Sequence, residues 1–465
     1  MSSADNHGLA RSLGPFQLVL LGVGVIIGAG IFVITGSAAA NYAGPGVVLS
    51  FLLAALACAC AGLCYAEFAA MSGESGGAYS YARMSMGPRI GWLTGWNLIL
   101  EYLFAAAFVA VGWSAYCVAF FKSVGLPLPE LFSSAPFALV DGEIVRTGAV
   151  MNLPAMLITA FATFCAVAGV ARSSLTNAIV VFIKVAVILV VVAIGMFHVD
   201  PSRWVPFVPE NTGTFGEFGW SGVLRAAAVV FIAYIGFDAV ATTALEAKKP
   251  QRDVPIGILG SLVVCTILYV AMSLTLTGIV PFTELNVASP VSLAVERMGP
   301  GVAWIEPLVA LGAVAGLTSG IIVLLLAQPR VFLAMARHGI LPSALGKVHP
   351  KYRTPHVSTY LTGVIAMALA GLFPIDLLGH MVSIGTLVAF FFVSVGVIVM
   401  RRKAPDMPRP FRTPWVPFIP ALSAAICLYL MIGLPLDTWA RLVVWVAIGV
   451  AFYEWRSRRI PATAS

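Results

Sequence analysis

The sequence predicts an all-α polytopic membrane protein. Three observations carry this: an apolar composition, a succession of apolar runs near bilayer-spanning length, and two glycine-rich interruptions within them. Hydrophobic residues make up 60% of the 465-residue chain and charged ones only 10%, against about 25% charged in soluble domains. No stretch alternates apolar and polar residues as membrane-barrel strands do. Residues 1–465 therefore read as a single transmembrane domain.

Twelve spans are expected, since about 20 apolar residues cross the hydrocarbon layer. They are Phe16–Ala38, Gly46–Ala69, Trp92–Phe120, Pro154–Val170, Leu175–Phe197, Gly222–Ala244, Ile256–Ile279, Trp304–Ala327, Val357–Phe373, Leu377–Met400, Pro417–Leu434 and Trp439–Tyr453. Gly-Pro pairs, prolines and charge clusters supply the stops. The run opening at Phe16 has no small-residue cleavage site and is too long for a signal-peptide core, so no signal peptide is expected.

Lys and Arg set the orientation. With the N-terminus inside, 20 of the 27 basic residues fall in cytoplasmic loops, six fall on the other side, and Lys184 is left inside a span. Both termini are thus expected in the cytoplasm. The net charge of +7 is this loop bias and does not indicate nucleic acid. All seven cysteines (Cys58, Cys60, Cys64, Cys117, Cys165, Cys265 and Cys427) fall in apolar runs. They read as buried thiols rather than disulfides. No metal or cofactor is expected.

Spans one to five (16–197) and six to ten (222–400) contain equal numbers of helices. Five is odd, so the second set enters from the opposite side, an inverted repeat. The last two spans (417–456) lie outside it. Spans one and six are then equivalent, and they carry the interruptions: Gly28-Ala29-Gly30 in the first, Phe231–Gly236 in the second. A membrane helix can break only where its freed peptide groups line a cavity. Close packing of Gly24 and Gly28 is the alternative for the first segment taken alone.

Broken at Gly28, the first span would turn the N–H groups of Gly28, Ala29, Gly30 and Ile31 toward an anion at the positive end of a half-helix. Carbonyls freed near Phe231–Ile235, Ala233 among them, would accept from an ammonium. Donors facing acceptors suit a zwitterion such as an α-amino acid. Phe231, Tyr234 and Phe237 are read equally as a lid or as packing. Asp238 is read as a cap for the sixth span or as a coupling group.

Ionisable residues inside a span are functional candidates by default. Lys184 lies about ten residues from either end of its span, too deep to snorkel easily. Its ammonium can stand in place of a coupling Na⁺, donating to carbonyls of the first break and to Thr318 and Ser319, and it can exchange a proton. Glu101 can pair with a cation or hold a proton. Glu67 reads as a gate or loop partner. Thr318 and Ser319 can equally bond back to their own helix. Leu317 beside them is the candidate for a side-chain pocket.

Several motifs resemble those of the amino acid–polyamine–organocation (APC) superfamily, closest to its bacterial cationic amino acid transporter members. Gly28-Ala29-Gly30-Ile31-Phe32 resembles the first-helix signature. Ser75-Gly76-Gly77-Ala78-Tyr79-Ser80-Tyr81 is similar to the motif after the second helix, and Gly95–Tyr102 to the third-helix pattern. Ala233–Asp238 resembles the sixth-helix break. Glu246, Pro250 and Pro255 match the loop beyond it, and Arg330, Ala334–Arg337 and Gly339 the end of the eighth helix.

The resemblance implies a LeuT-like 5+5 fold with helices 1 and 6 broken, working by alternating access. Ile27–Ile31 would receive the substrate carboxylate, and the sixth-span break its amino group. Lys184 matches a lysine near the vacated sodium site of sodium-independent relatives. The function expected is amino acid transport in a bacterial inner membrane, sodium-independent and proton-coupled. The apolar Leu317 and the lack of an acid in the first break favour a small neutral substrate. An amino acid/amine exchanger is the alternative, with a channel or an amino-acid-sensing receptor behind it. No His-Glu-x-x-His helix or Gly-x-Ser-x-Gly elbow points to an enzyme. Protons and membrane lipid are the other expected partners, and no protein partner can be read.

Overall fold

The computed structural model describes residues 13–72, 76–140, 143–168, 174–242, 247–352 and 354–458. Ser75 and Glu246 of the motifs, the basic residues Arg11, Arg172, Arg353 and Arg459, and the expected span ends at Val170 and Ala244 lie outside them.

The described residues are mostly helical. Its helices are α1 (Pro15–Ile26), α2 (Thr35–Ala38), α3 (Val47–Ser72), α4 (Ala78–Met86), α5 (Pro88–Ile99), α6 (Ala105–Ser123), α7 (Leu153–Ala168), α8 (Ser174–Gly195), α9 (Gly219–Val230), α10 (Phe237–Thr242), α11 (Pro250–Ile279), α12 (Pro290–Arg297), α13 (Ile305–Arg337), α14 (His356–Leu372), α15 (Ile375–Lys403), α16 (Phe418–Ile432) and α17 (Leu436–Ser457). Among the described residues, six helices are long and apolar enough to cross a membrane, and six shorter apolar ones accompany them. One hairpin, β1 (Phe137–Val140) with β2 (Glu143–Arg146), is antiparallel, with Phe137 opposite Arg146.

Several helices outrun the apolar spans. α11 begins at Pro250, α13 continues through Pro329 to Arg337, and α15 runs to Lys403. Apolar content marks the hydrocarbon layer, but the helix persists into polar turns beyond it. Pro250 at the first helical position lacks an N–H that the helix would leave unpaired in any case.

Three irregular stretches matter for the site. Gly30–Ile34 and Ala39–Ala43 are π-helical turns around α2. A third, Leu100–Phe104, joins α5 to α6 and carries Glu101. A π turn inserts one extra residue and so rotates the rest of the helix about its axis.

Helices pack closely where glycine replaces a side chain. Along α13, a Cβ on Gly312 would fall 2.7 Å from Val187, and one on Gly316 3.2 Å from the Lys184 stem. Both contacts are to α8, one turn apart, as small residues permit between membrane helices.

On the face that bears both described ends of the chain, Glu67 of α3 is 2% exposed and clamps the loop between α15 and α16. Arg401 donates to both its carboxylate oxygens at 2.9 Å, and Arg409 pairs with one at 3.3 Å. The Thr413 N–H donates at 2.7 Å. Arg409 also holds the carbonyls of Met400, Ala404, Pro405 and Met407. Glu67→Ala would leave Arg409 buried without its acid. The expected loss is about 3–5 kcal/mol, measured as a lower unfolding temperature in detergent; an unchanged temperature would show that the clamp does not hold the loop.

Candidate functional site

Both interruptions are real departures from the helix. The first helix stops at Ile26, and Ile27 is extended (φ −70°, ψ 100°) before helical backbone resumes at Ala29. After α9 a 3-10 turn runs over Phe231–Tyr234. Ile235 is then extended (ψ 137°), and Gly236 takes φ +113°, a conformation open to glycine.

The two breaks cross backbone to backbone. A Cβ on Gly30 would collide with that of Ala233, and one on Gly236 would collide with the Val25 side chain. Gly28 differs, since nothing lies within 4 Å of the Cβ it lacks. It faces a hollow of about 40 Å³ between the breaks. Gly28, Ala29 and Gly30 line one side of this hollow and Ile232 and Ile235 another. Ala105, Phe108 and Val109 of α6 and Gly320 and Leu324 of α13 complete it. No charged side chain is among the lining residues.

Freed peptide groups are satisfied from neighbouring helices. The fully buried Lys184 donates to the carbonyl oxygens of Gly24 and of Ile27, the latter at 2.8 Å. The Tyr269 hydroxyl of α11 lies 2.8 Å from the Ile26 carbonyl and 2.7 Å from that of Ala233, one on each break. It has one hydrogen, so it can donate to only one of them at a time. The N–H groups that open the second half-helix, from Ala29 on, have no intrahelical acceptor.

The expected roles divide accordingly. Gly28, Ala29, Gly30 and Ile235 line the hollow. Ile27 contributes its carbonyl to Lys184, and Ile31 is buried in the surrounding core. Of the two readings of the three aromatic residues, their contacts match packing. Phe231 packs edge-on and Phe237 at a tilt against Phe390, with ring centres 5.4 and 5.0 Å apart, and Tyr234 packs on Phe51 and Tyr269, its hydroxyl bonded to the Phe51 carbonyl. None of the three lines the hollow; its aromatic residue is Phe108.

Leu317 is likewise buried without lining the hollow, whereas Gly320 and Leu324, three and seven residues further on, do line it. Thr318 and Ser319 do not bond Lys184. Their hydroxyls donate to the Val314 and Gly316 carbonyls, and Thr318 accepts from Trp113. Back-bonding to their own helix is the cheaper arrangement in a dry site.

On the side of the hollow toward the chain ends, Asp238 accepts from the Tyr102 hydroxyl. Glu101 beside it is fully buried, and neither carboxylate oxygen has a hydrogen-bond partner among the described residues. Tyr65, Phe237 and Phe390 pack edge to face below it. On the opposite side, Phe108 separates the hollow from a cavity of about 250 Å³, which it also lines.

Comparison with known proteins decides the family. A family model described as amino acid permease matches residues 13–452. The chain belongs to the amino acid permease family. The APC resemblance of its motifs is borne out. It is 43% identical to the methylthioribose transporter of Bacillus subtilis over 98% of this chain and 96% of that one. It is also 43% identical to the branched-chain amino acid permease BcaP of the same organism, over 98% and 95%. The vacuolar cationic amino acid transporter 4 of Arabidopsis thaliana is 37% identical over 86% of this chain and 65% of its own length. The permease is a multi-pass membrane protein and a secondary amino acid transporter.

The two glycines of the first break should separate by substitution. Gly28→Leu places its side chain in open space and fills the hollow. Binding should weaken at least about tenfold, about 1.4 kcal/mol, with little change in unfolding temperature. Gly30→Ala forces Ala233 aside and should cost about 1–3 kcal/mol of stability. Ligand titration and thermal unfolding of both variants check this.

Proposed function

We propose that this permease carries neutral amino acids with apolar side chains by alternating access, independently of sodium and coupled to protons. The observation that carries the reading is the Lys184 ammonium on the Gly24 and Ile27 carbonyls, beside a hollow whose lining side chains are uncharged. A fixed cation at those carbonyls occupies the position a Na⁺ would need. Among the described residues, the groups facing the hollow that can grip a zwitterion are peptide groups of the two breaks. The substrate carboxylate goes to the half-helix opening at Ala29, where donors and dipole converge. Its ammonium goes to the carbonyl that Tyr269 is not holding, Ile26 or Ala233.

The apolar lining supports the substrate class. A Lys or Arg side chain entering between Val109, Leu324 and Phe108 would lose its hydration with no counter-charge to meet it. The branched-chain amino acid permease among the relatives agrees with this choice. Lys184, Glu101 and Asp238 are the buried groups around the hollow able to carry a proton, and we assign coupling to them, with Tyr102–Asp238 as the contact that parts when the terminal side opens. The framework is a twelve-helix 5+5 inverted repeat, 16–197 and 222–400, with 417–456 appended, in a bacterial inner membrane. The loop bias of 20 basic residues in 27 supports a cytoplasmic location for both termini.

Two outcomes are expected. In proteoliposomes, L-leucine or L-isoleucine uptake should be stimulated by unlabelled substrate inside and should resist excess L-arginine; absence of that stimulation would indicate a channel. Lys184→Ala leaves two buried carbonyls without their donor, at about 1–3 kcal/mol each, and should abolish or uncouple uptake. A folded variant with wild-type pH dependence would remove the lysine from coupling.

A further inference from the structure

A second cavity is larger than the hollow between the breaks. It lies beyond Phe108, on the face opposite the chain ends, and at about 250 Å³ it is about six times larger. That approaches the lower end of small-ligand sites, about 300 Å³. Its walls mix apolar residues with polar side chains that the inner hollow lacks, among them Ser37, Asn41, Asn286, Asp376 and His380.

Two of these side chains are placed as partners for opposite ends of a small solute. Asp376 and His380 stand one turn apart on α15, so they share a face. Asp376 is exposed where it lines the cavity, and its carboxylate makes no ion pair among the described residues. His380 is only 6% exposed, yet its Nδ1 has no hydrogen-bond partner among the described residues. A buried imidazole nitrogen without a partner costs stability unless something else meets it. Gly379 between them leaves room for the Phe108 ring, whose edge would lie 3.3 Å from a Cβ there. The ring that closes the inner hollow therefore rests on the helix turn that carries both polar groups.

We propose that this cavity is a second, weaker binding site for an amino acid zwitterion, with the ammonium on the Asp376 carboxylate and the carboxylate on His380 and the amides of Asn41 or Asn286. The ligand class rests on the amino acid reading of the central hollow, but the site is built from different residues. A molecule held there waits against Phe108 until the ring moves. Loading becomes two steps, and the outer site sets uptake at low substrate concentration.

Equilibrium binding of radiolabelled L-leucine, L-alanine and L-arginine to the purified full chain separates the two sites. Gly320→Leu fills the central hollow, where only Val109 lies near at 3.8 Å, and leaves the outer cavity untouched. Wild type should show two components of different affinity. Gly320→Leu should retain the weaker one. Asp376→Asn or His380→Ala should remove it, weakening it at least tenfold, and should raise the uptake KM with kcat preserved. Unfolding temperatures near wild type confirm that these variants are folded. Binding lost in Gly320→Leu but untouched by Asp376→Asn and His380→Ala keeps the central site and overturns the outer one. Binding that survives Gly320→Leu and fails in the α15 variants supports the outer site even if the central assignment is wrong. Wild type that binds none of the three ligands removes both.

Discussion

A peptide group released from a helix inside a membrane must find a partner, and the centre of this permease is arranged around that demand. Irregular backbone around Ile27 and Ile235 would be untenable against lipid. It persists because two side chains from helices outside the breaks reach it. Lys184 comes from α8 and Tyr269 from α11, and together they engage Gly24, Ile26, Ile27 and Ala233. The groups they leave over are the ones available to a solute. Recognition and structural integrity thus draw on the same set of carbonyls, which ties substrate binding to the state of both helices.

Close approach is the second requirement, and glycine supplies it unevenly. Gly30 and Gly236 let the two breaks touch, and Gly28 opens space instead. Glycines in one short motif therefore do opposite things. On α13 a further set admits Val187, the Lys184 stem and, at Gly320, the hollow itself. A side chain at Gly316 would press on the Lys184 stem that runs toward α1.

Sequence reasoning reached the helical membrane class, the positions of both breaks and the depth of Lys184, because glycine clustering and a charge in an apolar run are local signals. It missed what depends on rotation about a helix axis. Leu317 was the expected pocket residue, and Gly320 and Leu324 on the same helix line it instead. Phe231, Tyr234 and Phe237 are as conspicuous in sequence as Phe108, but only packing shows that Phe390 and Phe51 claim them. Tyr269 had no distinguishing neighbour in a long apolar helix. A tyrosine placed deep in such a run is the one clue it offered, since its hydroxyl needs a partner there.

The π turn at Leu100–Phe104 has a consequence for how the third span is phased. One surplus residue advances everything beyond it by about 100° around the axis. That offset lets Tyr102 reach Asp238 while Ala105, Phe108 and Val109 face the hollow. A chain one residue shorter at this point would form a smoother helix. It would also swing the Phe108 ring out of the passage, joining the two cavities into a single open shaft on one side of the molecule.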